Sequence, residues 1–219
     1  MVAALAVGTL SACSSNVAGT GTGAGPGTGE ATTPGAASAA PSSNAPSKSS
    51  SGVHPVPSAP LRTVQVPAQG GGAGYVVKVW AQTEVRNCAA HAYGAVVAFL
   101  HRHPCFGLKS LLATTTVDGR PVGFAQREIG FRGGMNESYR AAGRFRDLVT
   151  RSGTGNLNDL MREGYRLPSG PTSVPFPNAF SALGQDNGVT VVEAWYLDGP
   201  TPDNDPPLVR MAQDIFLRV

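Results

Sequence analysis

The sequence predicts an α+β fold: a small antiparallel sheet with helices packed on one face, in a ferredoxin-like (split βαβ) arrangement. Three observations predict it. Strand-like and helix-like runs follow one another between Tyr75 and Val219 in the order β-α-β-β-α-(short α)-β-β-α. The pair Asp118-Gly119, set between two β-rich runs, marks a two-residue hairpin. Residues 14–73 hold hardly any large apolar side chain, so the core must come from 74–219, about 145 residues and enough for one good core. No internal repeat is visible.

The elements follow in order. Tyr75 to Glu84 is β-branched and aromatic and reads as a strand. Asn87 is placed to cap a helix on which Cys88, Ala92, Val96, Phe99 and Leu100 recur at helical spacing, and Pro104 ends it. Leu108 to Val117 and Val122 to Phe131 read as the two arms of the Asp118-Gly119 hairpin, and Gly133-Gly134 breaks the second. Asn136 is placed to cap a second helix with an apolar stripe of Ala141, Ala142, Phe145, Leu148 and Val149. Gly153 suits its C-terminal cap. A short helix over Leu157 to Glu163 is expected from Asn156, with Asp159 in the capping-box place. Residues 164–178 hold four prolines and read as a loop. Ala179 to Leu183 and Val189 to Leu197 read as strands around a Gly184–Gly188 turn. Asp205 before Pro206-Pro207 starts a last helix, with Leu208, Val209, Ala212, Ile215, Phe216 and Val219 facing the core.

The stretch ahead of the domain has a different character. A short apolar run, Val2 to Leu10, leads into Leu10-Ser11-Ala12-Cys13. These four residues resemble the bacterial lipobox, in which the cysteine thiol is alkylated by diacylglycerol and the chain is cut just before it. The resemblance implies a signal peptide over 1–12, a lipid on Cys13 and attachment at the extracytoplasmic face of the cell membrane. The run is too short to span a bilayer, which takes about 20 apolar residues. It lacks the usual basic leader, and a start codon placed too late accounts for that, so the peptide reads as N-terminally truncated. A chance match inside an Ala-rich segment is the alternative. Residues 13–73 then form a disordered tether of Gly, Ser, Ala, Thr and Pro, with a root-mean-square reach of about 40–45 Å. Prolines 55, 57, 60 and 67 stiffen its last third.

A second resemblance covers most of residues 75–198. It rests on His91 to Cys105, on the hairpin around Asp118-Gly119-Arg120 and on Gly153 to Gly164. These stretches are similar to secreted or lipid-anchored proteins of actinobacteria. The likeness implies location and fold and brings no reaction with it. Its Thr/Pro/Ala-rich tether also looks like those that carry O-linked sugars in actinobacterial lipoproteins.

Composition narrows the function. The net charge is +3, from 14 Arg and 3 Lys against 14 acidic residues, and no basic stripe of a nucleic-acid binder is present. Cys88 and Cys105 are the domain's two thiols. An oxidising compartment favours pairing, but a straight helix over 88–102 sets its ends about 21 Å apart, against the roughly 7 Å a disulfide tolerates. Buried free thiols are the preferred expectation, a bridge needs a break near Gly94, and a reactive thiol is the third option. Cys88 and His91 share a helical face and can form a thiol–imidazole dyad, but the preferred reading is a core Cys beside a half-buried His.

Other candidates are weaker. His101 and His103 beside Cys105 lack the spacing of a structural metal site and fit a helix end, so no metal and no cofactor is expected. Gly153-Thr-Gly-Asn156 precedes a helix but lacks the Lys of a Walker loop and reads as a junction between caps. Arg140, Arg144 and Arg151 lie on one helical face and form the candidate site for an anionic ligand or partner, against the plainer reading of a solvated face. Glu84, Glu128 and Glu193 fall in strands, and no catalytic set stands out, so no catalytic residue is assigned. The expected function is a lipid-anchored cell-envelope protein with an extracytoplasmic binding domain for a protein, polymer or lipid. Its rival is an extracytoplasmic hydrolase built around His91 and Glu193.

Overall fold

In a computed structural model of the chain, the structure describes residues 52–69, 73–151 and 153–216. Strands β1 (Arg62–Val66), β2 (Tyr75–Val85), β3 (Cys105–Val117), β4 (Arg120–Phe131), β5 (Ala179–Gln185) and β6 (Gly188–Tyr196) form one sheet of order β1-β2-β3-β4-β6-β5. The helices are α1 (Ala95–Arg102), α2 (Met135–Val149) and α3 (Pro206–Ile215). The fold is α+β. The order does not show the split βαβ arrangement, because β2 and β3, the strands on either side of α1, are direct antiparallel neighbours with no strand between them.

A disulfide between Cys88 and Cys105 accounts for this. Cys88 follows the end of β2 and Cys105 opens β3, with Cα atoms 6.3 Å apart. The chain therefore returns to the end of β2 it left, and β3 runs back antiparallel. The long helix expected over 88–102 is two pieces, a 3₁₀ turn at Cys88–His91 and α1, separated by an extended Ala92 and by Gly94 at φ 65°. The expectation of free thiols is thus corrected: helical periodicity continues across the break and hides it.

The Asp118-Gly119 turn forms as read, with φ of 49° and 79°, the left-handed pair a type I′ hairpin needs. The short helix expected over 157–163 is a series of turns instead. There Asp159 Oδ1 accepts the Arg162 N–H at 2.8 Å, and Asn156 Oδ1 accepts that of Leu157.

Strand alternation assigns the two faces. On one, Val77, Val79, Phe124, Val192 and Ala194 pack against Leu208, Met211, Ala212 and Ile215 of α3. On the other, Leu108, Ile129, Phe131, Val189 and Val191 pack against α1 and α2, and Leu112, Ala125 and Trp195 lie under Leu160, Met161 and Leu167 of the long loop. Helices therefore cover both faces, not one, because β4 and β6 are apolar on both sides. A register shift between Val79 and Ala81 turns Trp80 toward the loop side, where its Nε1 donates to Thr114 Oγ1 at 2.8 Å.

The domain starts earlier than residue 74. β1 adds an edge strand from within the 13–73 stretch, and the His54 ring stacks on Tyr165 at 3.8 Å. Asp214 of α3 fastens the β1–β2 connection, accepting the Gln69 N–H at 3.0 Å and the Tyr75 hydroxyl at 2.9 Å. Burial, then the Asp214 hydrogen bond, pushes the Tyr75 hydroxyl up to about 12. Residues 1–51, including Cys13 and the lipobox, lie outside the described residues, as does Val219.

Candidate functional site

The chain places most of its buried charge between the sheet and the loop over 153–167. Arg127 sits mid-way along β4 on the loop side and is fully buried. Its register partner on β6 is Val191, while Glu193 pairs with Ala125, so Arg127 reaches diagonally and donates from Nη1 to Glu193 Oε2 at 2.6 Å. Burial works against the Arg127 charge, but the carboxylates of Glu193 and Asp159 outweigh it and hold the guanidinium above its ordinary pKa. Among the described residues its Nε and Nη2 have no hydrogen-bond partner.

The loop side of the site is built from two segments zipped together. Tyr93 N–H donates to Asn156 O at 3.0 Å and Asn158 N–H to His91 O at 2.8 Å, around an Ala92–Leu157 bridge. Gly94 and Gly155 meet back to back, and a Cβ on Gly155, whose φ is 106°, would run into Tyr93 O. Gly155→Ala is therefore expected to destabilise the domain by about 1–3 kcal/mol, from positive-φ strain and overpacking. A urea titration measures it, and an unchanged midpoint would contradict the close approach.

This zipper presents His91, whose Nδ1 lies 2.6 Å from Glu163 Oε1, and Tyr93, over whose ring the Arg162 guanidinium sits at 4.1 Å. Burial raises the Tyr93 hydroxyl pKa, Arg162 opposes the shift, and Glu193 adds to it. Glu193 is engaged by Arg127 and His91 by Glu163. An arginine between two carboxylates offsets part of their charge and fastens a loop to a sheet.

The other sequence candidates lie apart. Cys88 is in the disulfide, so the Cys88–His91 dyad does not exist. Cys105 is likewise consumed, and among the described residues no group of three or more His, Cys, Asp or Glu can hold a metal ion. His103 packs its ring 4.6 Å from Phe99. Burial, then Arg144 and Arg102, lowers its pKa. Arg140 and Arg144 are exposed on α2, and Arg151 is exposed just past its end. None of the three forms an ion pair among the described residues. Glu84 and Glu128 flank Lys109 across β2, β3 and β4 on the face opposite Glu193.

Arg127 and Tyr93 escaped the sequence reading, and Asp159 and Glu163 were read there only as parts of a short helix, not as site residues. One signal was present: Gln126-Arg127-Glu128 interrupts a strand otherwise made of Val, Phe, Ala, Ile and Gly between Val122 and Phe131, and a cation inside a core strand requires a buried partner. Among the described residues no helix is long and apolar enough to cross a membrane. Comparison with protein-family models, curated proteins and solved structures finds no match for the chain.

Proposed function

We propose that this chain is a lipid-anchored cell-envelope protein whose domain acts outside the cytoplasm as a binding module, held to the membrane through Cys13. The carrying observation is the Cys88–Cys105 disulfide, since such bonds persist in oxidising compartments and are rare in the cytosol. The Leu10-Ser11-Ala12-Cys13 resemblance supplies the anchor. One acyl chain holds a protein marginally, and two or more hold it stably.

Binding is favoured over catalysis because the buried groups are engaged with one another: Glu193 with Arg127, His91 with Glu163, Cys88 with Cys105. The hydrolase reading keeps one observation in its favour, that Glu193 acts on Tyr93, which is two residues along the chain from His91. The partner is an envelope protein, polymer or lipid. Detergent-solubilised full chain, immobilised and incubated with cell envelopes, is expected to retain one such component. Retention of none, with turnover of a model ester or glycoside that His91→Ala abolishes, would favour the hydrolase.

A further inference from the structure

The sheet face that carries α3 is left open toward the start of β3 and the end of β4. A shallow recess lies there, lined by Gln82, Lys109, Ser110, Leu111, Gln126 and Glu128. Gln126 is 3% exposed, and among the described residues its side-chain oxygen has no hydrogen-bond partner. A buried polar group left unpaired is costly, so its retention calls for a reason. Lys109 faces Glu84 on one neighbouring strand and Glu128 on the other, yet none of the three is in an ion pair among the described residues. Beyond Glu128 on the same face comes Gly130, and the Phe106 ring fills the place its side chain would take. Phe106 is 54% exposed.

We propose that this recess binds a neutral hexopyranose unit of an envelope polysaccharide. This deepens the binding reading above and rests on it. The polar rim mixes an ammonium, which only donates, with carboxylates, which only accept, and with carboxamides, which do both. Arg62 and Lys109 stand against Glu84 and Glu128, with Arg62 donating to Gln82, so the local charge is balanced and suits an uncharged partner rather than a phosphate or an anionic lipid. Hydroxyls donate and accept at once, which lets one sugar ring serve Lys109, Glu128 and Gln126 together. The exposed Phe106 ring offers a flat apolar surface beside these groups for the C–H face of a sugar.

The test is an NMR titration of the full chain with an N-acetylglucosamine trisaccharide and a glucose trisaccharide at millimolar concentration. Shifts from at least one are expected at Gln82, Lys109, Gln126 and Glu128 and on the Phe106 ring. Gln126→Leu and Phe106→Ala are each expected to weaken binding about tenfold. Gln126→Leu removes an unpaired buried group, so a fall in its folding stability is not expected, and its loss of binding is separable from misfolding. Absent shifts with both sugars, shifts elsewhere, or binding unchanged in both variants would overturn the proposal. An envelope component retained equally by the parent and by both variants would also overturn the recess while leaving the binding reading in place.

Discussion

Glu193→Gln is expected to destabilise the domain by about 3–5 kcal/mol, the cost of leaving a buried charge without its partner. Arg127 has no exposed surface, cannot give up its proton, and already lacks partners for Nε and Nη2 among the described residues. Once the Glu193 charge is gone, Asp159 alone opposes a cation in the core. Arg127→Met should cost less, because the Glu193 side chain is 18% exposed and a carboxylate left alone can hydrate or protonate. The double variant Arg127→Met/Glu193→Gln should recover most of the loss, since it removes both charges together and leaves no buried guanidinium without its partner. Urea titrations of the four proteins form a double-mutant cycle. Additive losses, or a Glu193→Gln midpoint equal to the parent's, would contradict the ion layer.

Removing the disulfide has the second largest expected effect. The bond closes a separation of 17 residues, a loop length that corresponds to about 3 kcal/mol, or about 6–12 °C in Tm for a domain of this size. Cys88 and Cys105 are 2% and 6% exposed, so dithiothreitol should leave the native bond intact and cut it once urea opens the domain. Mass spectrometry reads the two-hydrogen gain. Ready reduction of the folded protein, or a Cys88→Ala/Cys105→Ala variant that melts with the parent, would contradict the structure.

What the sequence conveyed was mostly local. The Asp118-Gly119 hairpin formed because the turn's φ requirements are written in two residues. The α2 stripe predicted Ala141, Ala142, Phe145 and Val149 as buried, leaving Leu148 partly exposed. Long-range facts were less legible. The β1 strand lies among prolines, pairs along Arg62–Val66 at the sheet edge, and reaches the core through Val64 and Val66 alone. Strand order is settled by pairing, which a run of residues does not encode, and α1 between two strands imitated a crossover. At eight residues it is about 12 Å long, far too short to carry the chain back along β2. In the site, His91 and Glu193 were visible as residue types. Their partners Glu163 and Arg127 are 72 and 66 residues away, and only the folded zipper and the β4–β6 register bring them close.

The anchor is tested by growing cells with radiolabelled palmitate and following the parent and a Cys13→Ala variant through membrane and soluble fractions. Label on the membrane-bound parent, with the variant unlabelled and released, is the predicted result. An unlabelled parent that shares its fraction with the variant would contradict it.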